Sequence, residues 1–144
     1  QELSGSALNE FMLNRMGKSW ESVPIPKVAI TDLKTDTFSF FKEKGIKSGR
    51  IDENRREDNP LQVLENLHLL EEEHLKRAAV LLFHPNPEKF VQGAYIKIGF
   101  FRTDSDLLFQ DEIHGNLFEQ IEKTMDLLLT NILEPSFRMM DLQE

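Results

Sequence analysis

The chain contains no cysteine. Disulfides, thiolate catalysis and cysteine-ligated zinc are therefore excluded. No basic start followed by an apolar stretch is present, so no signal peptide is read. The longest purely apolar run, Ala78-Ala79-Val80-Leu81-Leu82-Phe83, is far too short to span a membrane. Positive charge is scarce as well: 17 Lys and Arg stand against 25 Asp and Glu, a net charge of −8. A chain this acidic does not coat nucleic acid with its whole surface, which leaves only a local basic patch open. The nucleotide-binding patterns G-x-G-x-x-G and G-x-x-x-x-G-K-[ST] are both missing. Gly45-Ile46-Lys47-Ser48-Gly49 holds a Lys-Ser pair, but its glycines are not arranged to cradle a phosphate. Neither a G-x-S-x-G nucleophile elbow nor an H-E-x-x-H metal pair occurs. Internal repeats and low-complexity segments are absent too.

What is there is one domain's worth of chain. At 144 residues, with 40% hydrophobic and 29% charged residues, it can bury a real core without staples. It opens on Gln1 without an initiator Met and closes on the half-apolar Phe137-Arg138-Met139-Met140-Asp141-Leu142-Gln143-Glu144. Both ends read as cuts. The expectation is a segment of a longer cytoplasmic protein with no membrane contact.

Periodicity supplies a coarse layout. Leu8, Phe11, Met12, Arg15 and Met16 keep helical spacing, with Ser4 or Ser6 as cap and Gly17 as terminator. Pro24 and Pro26 make 18–31 a connector, which Trp20 is expected to pin to the core; Lys27-Val28-Ala29-Ile30 has the composition of a short edge strand. A second helix is read over 35–44, ending at Gly45, with Phe38, Phe41 and Phe40 as candidates for its inner face. The charged, aperiodic stretch 47–58 reads as a mobile loop. Asn59-Pro60 opens a third helix with Leu61, Leu64 and Leu67 or His68 inward, broken by Glu71-Glu72-Glu73. The segment 75–83 fits helix or strand by pattern, and its Ala and Leu pairs favour a buried helix closed by Pro85 and Pro87. Strict alternation predicts a strand over 94–103, returning through a turn as 107–113. The last helix is read over 116–133. Leu117, Ile121, Met125, Leu128, Leu129 and Ile132 form its apolar stripe, and Asn116 with Glu119 form a capping box.

Candidate chemistry is thin. His68 and Glu72 sit four apart, which on a helix would place both on one side, yet two ligands do not make a metal site. His114, beside Asp111 and Glu112, could act as a general base, but no nucleophile is tied to it by spacing. The basic residues Lys47, Arg50, Arg55 and Arg56 cluster in the charged stretch and could reach phosphates, with Arg102 on the strand as a further contact. Asp52, Glu53, Glu57 and Asp58 lie among them, so a solvated, nearly neutral loop is the favoured reading. No catalytic residue, metal or cofactor is expected.

Two stretches carry a family resemblance. Leu67-His68-Leu69-Leu70, an acidic turn, and Leu75-Lys76-Arg77-Ala78-Ala79-Val80-Leu81-Leu82-Phe83-His84-Pro85-Asn86-Pro87 resemble a leucine-rich helix, a turn and the signature L-T-x-A-A-x-L-L-F-G-x-x-P. His114-Gly115-Asn116-Leu117-Phe118-Glu119-Gln120-Ile121 resembles the helix start x-G-x-L-x-x-Q-I-E. Both belong to bacterial and archaeal transcriptional regulators, also described as RecG-related ATP-dependent helicases. In that family a Schlafen/AlbA-type DNA-binding domain precedes this segment and a GHKL-like ATP-binding region often follows it. The resemblance runs in order from about 4 to 133. The usual Thr is Lys76 here and the usual Gly is His84, so the turn at 84 is expected to be built differently.

The resulting expectation is an α+β fold: a small sheet with an antiparallel hairpin, 94–103 and 107–113, covered by helices. The stripe of the last helix and one face of the 94–103 strand should supply most of the core. Residues 1–31 are read as the exit helix and connector of an upstream AlbA-type domain, 32–134 as the connector domain, and 135–144 as the start of a linker. The implied function is a non-catalytic scaffold within a DNA-binding regulator, positioning DNA-binding and ATP-binding regions. Its partners would be those flanking domains, DNA through the parent protein, and a possible second copy. The alternative is a direct DNA-binding module using the 47–56 loop, and a less favoured one is an enzyme built on His114.

Overall fold

A short apolar helix, Arg77–Phe83, lies at the centre of the core, with Ala79, Val80 and Phe83 buried among residues of the 28–33 connector and of the helices at 35–47 and 60–66. The computed structural model describes residues 5–130. Along the chain these form α1 (Gly5–Arg15), α2 (Thr35–Lys47), α3 (Pro60–Asn66), β1 (Leu70–Glu71), β2 (His74–Leu75), α4 (Arg77–Phe83), β3 (Ile96–Thr103), β4 (Asp106–Ile113) and α5 (Leu117–Leu128). The class is α+β, and β3 with β4 is the antiparallel hairpin anticipated from alternation.

Phe83 is fully buried and organises the packing. Its ring stacks on Phe38 with centroids 4.0 Å apart and meets Phe41 edge-on at 5.9 Å and Phe118 at 6.0 Å. Val63 and Leu64 from α3, Leu69 and Leu75 around the small hairpin, and Val28 and Leu33 from the connector complete the core. This corrects the expected core. The α5 stripe and the face of β3 do not form it. On β3 and β4, Phe100, Phe101, Leu107 and Leu108 are all exposed, and Ile113 is the buried residue at the hairpin's base.

Local chemistry explains the elements around α4. Asn59 accepts the Gln62 backbone N–H at 2.9 Å while the Gln62 side chain accepts that of Asn59, so α3 opens on a complete capping box with Pro60 at its first position. It closes sooner than expected. His68 takes a φ of 55°, Leu69 N–H reaches the Leu64 carbonyl and His68 N–H that of Glu65. That is a Schellman stop, with Leu69 packing back toward Leu64. Leu61 and Leu67 consequently face solvent, and Val63 replaces them inward. The acidic triplet does not break a helix. Glu71 pairs with His74 across β1–β2, and Glu72 and Glu73 form its two-residue turn with φ of 48° and 66°.

Other expectations change as well. α2 runs through Gly45 to Lys47, and it is Gly49, at φ 70°, that follows its end; Ile51 folds back onto Gly45 so closely that a Cβ there would collide with it. Residues 27–30 form no strand; Val28 plugs the core and a 3₁₀ turn follows at Ile30–Asp32. The connector instead lies extended along β2, with Ile25 N–H on the Leu75 carbonyl at 2.7 Å and Arg77 N–H on that of Val23 at 2.8 Å. Trp20 is not pinned to the core: it is 51% exposed, with the Arg77 guanidinium over its ring at 4.3 Å. His84 sits at φ −78°, ordinary extended backbone, so the position usually held by Gly needs no positive φ here. Ile132 and the 135–144 linker lie outside the described residues. None of the described helices is long and apolar enough to cross a membrane.

Candidate functional site

The stretch 47–58, expected as a mobile loop, is a clasped turn. Lys42 on α2 donates from Nζ to the carbonyls of Arg56 and Asp58, each at 2.7 Å, and a 3₁₀ turn forms at Glu53–Arg55. Arg56 pairs with Glu53 and holds that carboxyl below its usual range. Arg55 Nη1 lies 3.7 Å from Asp58 Oδ2. Arg102, near the hairpin tip, binds Asp106 through both Nε and Nη2. Three of the five basic candidates thus face carboxylates on their own segment. Lys47 and Arg50 are exposed at the end of α2 and just beyond it, with no ion pair among the described residues. A phosphate would have to displace the carboxylates that already neutralise the others.

His114 is held between two carboxylates. Its Nδ1 lies 2.6 Å from Glu88 and its Nε2 3.6 Å from Glu112, and its ring stacks on Tyr95 at 5.3 Å. Lys123 bonds the His114 carbonyl and not the ring. With both nitrogens directed at carboxylates, the imidazole ties the base of the hairpin to the 3₁₀ turn at Pro87–Lys89. His68 and Glu72 lose their helical spacing because α3 ends at Asn66. Among the described residues no three His, Asp or Glu side chains are grouped to hold a metal ion.

The motif-like start of α5 is a structural latch. Asn116 is fully buried; its Oδ1 accepts the Glu119 N–H and its Nδ2 donates to Thr37 Oγ1 at 3.1 Å. Gln120, also buried, donates from Nε2 to the carbonyls of Ala94 and Gly115, both at 2.8 Å. Gly115 adopts φ 114°, and a Cβ there would strike the Glu119 carboxylate. Burial works to raise the Glu119 pKa, but the Lys34 side chain, the Asn116 N–H and the Lys34 charge together hold the carboxyl below its usual range. Asn116, Glu119 and Gln120 are therefore spent on capping α5 and joining it to Lys34, to Thr37 of α2 and to the Ala94 carbonyl, while His114 pairs with Glu88.

That latch inverts α5. Asn116, Gln120 and the half-buried Phe118 face the body, while Leu117, Ile121, Met125 and Leu129 face out, Ile121 at 61% exposure. One residue is about 100° of helix rotation, so hydrogen bonds at 116 and 120 turn the apolar stripe away. α1 shows the same imbalance. No residue of α1 is buried, and Leu8, Phe11 and Met12 are exposed, followed by Met16 and Trp20. Sequence reasoning found both stripes and assigned the α5 stripe to the wrong side; the buried Asn and Gln were the available signal, since buried polar groups need fixed partners.

No protein-family model, no curated protein and no solved structure matches this chain.

Proposed function

We propose that this chain is a non-catalytic connector and scaffold of a DNA-binding transcriptional regulator, holding a DNA-binding region and an ATP-binding region in register. The DNA-binding and ATP-binding partners come from the family resemblance of 67–87 and 114–121. One observation carries the scaffold part: the large exposed apolar side chains gather on α1, on α5 and at the hairpin tip, while the core between them is closed. Exposed apolar residues recurring along one side of a helix, as Leu117, Ile121 and Met125 do on α5, favour a surface that meets other protein. The motif residues that carry the resemblance are consumed by packing and capping, which supports a structural role over a chemical one.

The test is a paired substitution, Ile121→Glu with Met125→Glu. In this chain alone the melting temperature should stay within a degree or two, because both side chains meet solvent. In the longer parent protein the same change should expose the boundary after α5 to limited proteolysis. A loss of stability in the isolated chain comparable to a core truncation would show that the stripe belongs to this domain's own core, and the scaffold reading would fail.

A further inference from the structure

The β3–β4 hairpin is an unfinished sheet. Among the described residues neither strand has a second neighbour, and no backbone hydrogen bond joins 96–103 to anything but β4. A lone two-stranded ribbon is marginal in water, and this one exposes the consecutive residues Phe100 and Phe101, which point to opposite faces. We propose that β3 pairs antiparallel with β3 of a second copy of this chain, giving a four-stranded sheet in the order β4-β3-β3-β4. The two open edges of the hairpin are not equal. β4 is guarded. Leu108 is an extra residue between the pairs Phe100–Phe109 and Phe101–Leu107, which bends the strand near its middle. The Glu112 N–H is already taken by the Asp111 carboxylate at 2.8 Å. Asp106, Asp111 and Glu112 all lie on β4, so two β4 edges side by side would bring three acids from each copy together.

β3 is open. It stays in register with β4 from Ile96 to Phe100, and its own extra residue is Arg102, near the tip. Its two cations are drawn toward β4: Lys97 Nζ lies 3.5 Å from Glu112, and Arg102 binds Asp106. The charges that would turn away an incoming strand are thus neutralised by the neighbouring one. The segment 97–101 is also self-complementary. With Gly99 opposite its own copy on a two-fold axis, Ile98 faces the partner's Phe100 and Lys97 faces the partner's Phe101, each pair twice and each on one face of the joined sheet. Gly99 leaves no side chain at the axis, where the backbones approach. Isoleucine against phenylalanine is a favourable cross-strand pair, and no charge meets a like charge. A second copy suits this edge better than an unrelated strand because the pairing closes on itself: both open edges are used, and the guarded β4 edges end up outermost. The net charge of −8 opposes the association, which makes it salt-dependent. The pairing does not rest on the scaffold reading, whose test lies on α5.

Sedimentation equilibrium of the chain tests the proposal. The mass should rise with concentration to twice 16.8 kDa and no further. A seam of one strand pair is small, so Kd should be on the order of 10–100 μM, and it should tighten between about 0.05 M and about 0.5 M salt. Hydrogen exchange locates the seam: the β3 amides not bonded to β4 should slow with protein concentration, and the outward amides of β4 should not. Phe101→Lys sets a cation opposite the partner's Lys97 at both ends of the seam and should weaken the dimer at least about tenfold. Leu108→Lys, on the guarded strand, should leave it unchanged. Both side chains are exposed, so both variants keep the fold, checked by circular dichroism. A chain that stays monomeric at about 1 mM in the higher salt overturns the proposal. So does a dimer that survives Phe101→Lys, or one that is lost in Leu108→Lys or in the Ile121→Glu, Met125→Glu variant. Growth beyond a dimer, or protection of the outward β4 amides, refutes the closed β3–β3 pairing.

Discussion

Glu72 and Glu73 offer the sharpest perturbation in this fold. Both occupy positive φ, 48° and 66°, at the two central positions of the β1–β2 turn. A two-residue hairpin loop with both φ positive is a type I′ turn, whose preferred sequence is Asn-Gly. Each non-glycine residue held in the left-handed region costs about 1–1.5 kcal/mol. The double substitution Glu72→Asn, Glu73→Gly relieves most of that. The freer unfolded chain of Gly returns about 0.5–1 kcal/mol, leaving a net gain of roughly 1–2 kcal/mol. For a chain of this size that raises Tm by about 3–7 °C. Thermal unfolding followed by far-UV circular dichroism reads it, and Trp20 fluorescence gives a second probe, because Trp20 rests on Arg77 next to β2. Charge must be separated from conformation, since Glu71, Glu72 and Glu73 are consecutive acids. The control Glu72→Gln, Glu73→Gln removes the charges and keeps the backbone problem; it should stay within about 0.5 kcal/mol of the parent. If the Asn-Gly variant melts with the parent, or the Gln-Gln control gains as much, the strain argument is wrong.

Gly115→Ala should destabilise by about 1–3 kcal/mol, because φ 114° disfavours a side chain and the new Cβ displaces Glu119 from the α5 cap; urea unfolding measures it. Phe83→Ala should cost about 3–5 kcal/mol, since that ring touches Phe38, Phe41 and Phe118; an effect below about 1 kcal/mol would place the core elsewhere. Burial lowers the pKa of His84 below its ordinary 6.5, and its Nδ1 accepts the Asn86 N–H at 2.9 Å, so the neutral form belongs to the fold. Its contribution is full above the ordinary pKa and is lost as pH falls through the lowered folded value. The stability difference between the parent and His84→Gln should therefore shrink on acidification, and a difference independent of pH would refute the assignment. Fluorescence anisotropy of a labelled random duplex should show no binding at low salt, given the paired Arg55, Arg56 and Arg102; binding that falls steeply with salt would make this chain a DNA contact after all.

Much of the layout was legible because it rests on local chemistry. Asn59-Pro60 and Asn116 with Glu119 announced two helix starts through caps that need only neighbouring residues. Alternation over 96–100 announced the hairpin, since a strand's period of two needs no tertiary partner to be visible. The candidate site was barely legible. The clasped turn at 47–58 depends on Lys42 reaching two carbonyls 14 and 16 residues away and on Ile51 folding onto Gly45, and no spacing rule encodes either contact.

The sequence by itself determined which residues are apolar, where helices begin and which stretch is densely charged. It thereby excluded thiol chemistry and the phosphate-loop and zinc-helix motifs. Only the tertiary structure decided which face of each helix is covered. Amphipathicity shows that α5 has an apolar side but not whether this chain supplies the surface that side requires. Here the buried Asn116 and Gln120 found their hydrogen-bond partners on α2 and on the segment before β3, and satisfying those groups turned the stripe outward. The same holds for the charged turn. Its composition fixed near-neutrality, but only folding brought Arg56 to Glu53 and Lys42 to the carbonyls that close it.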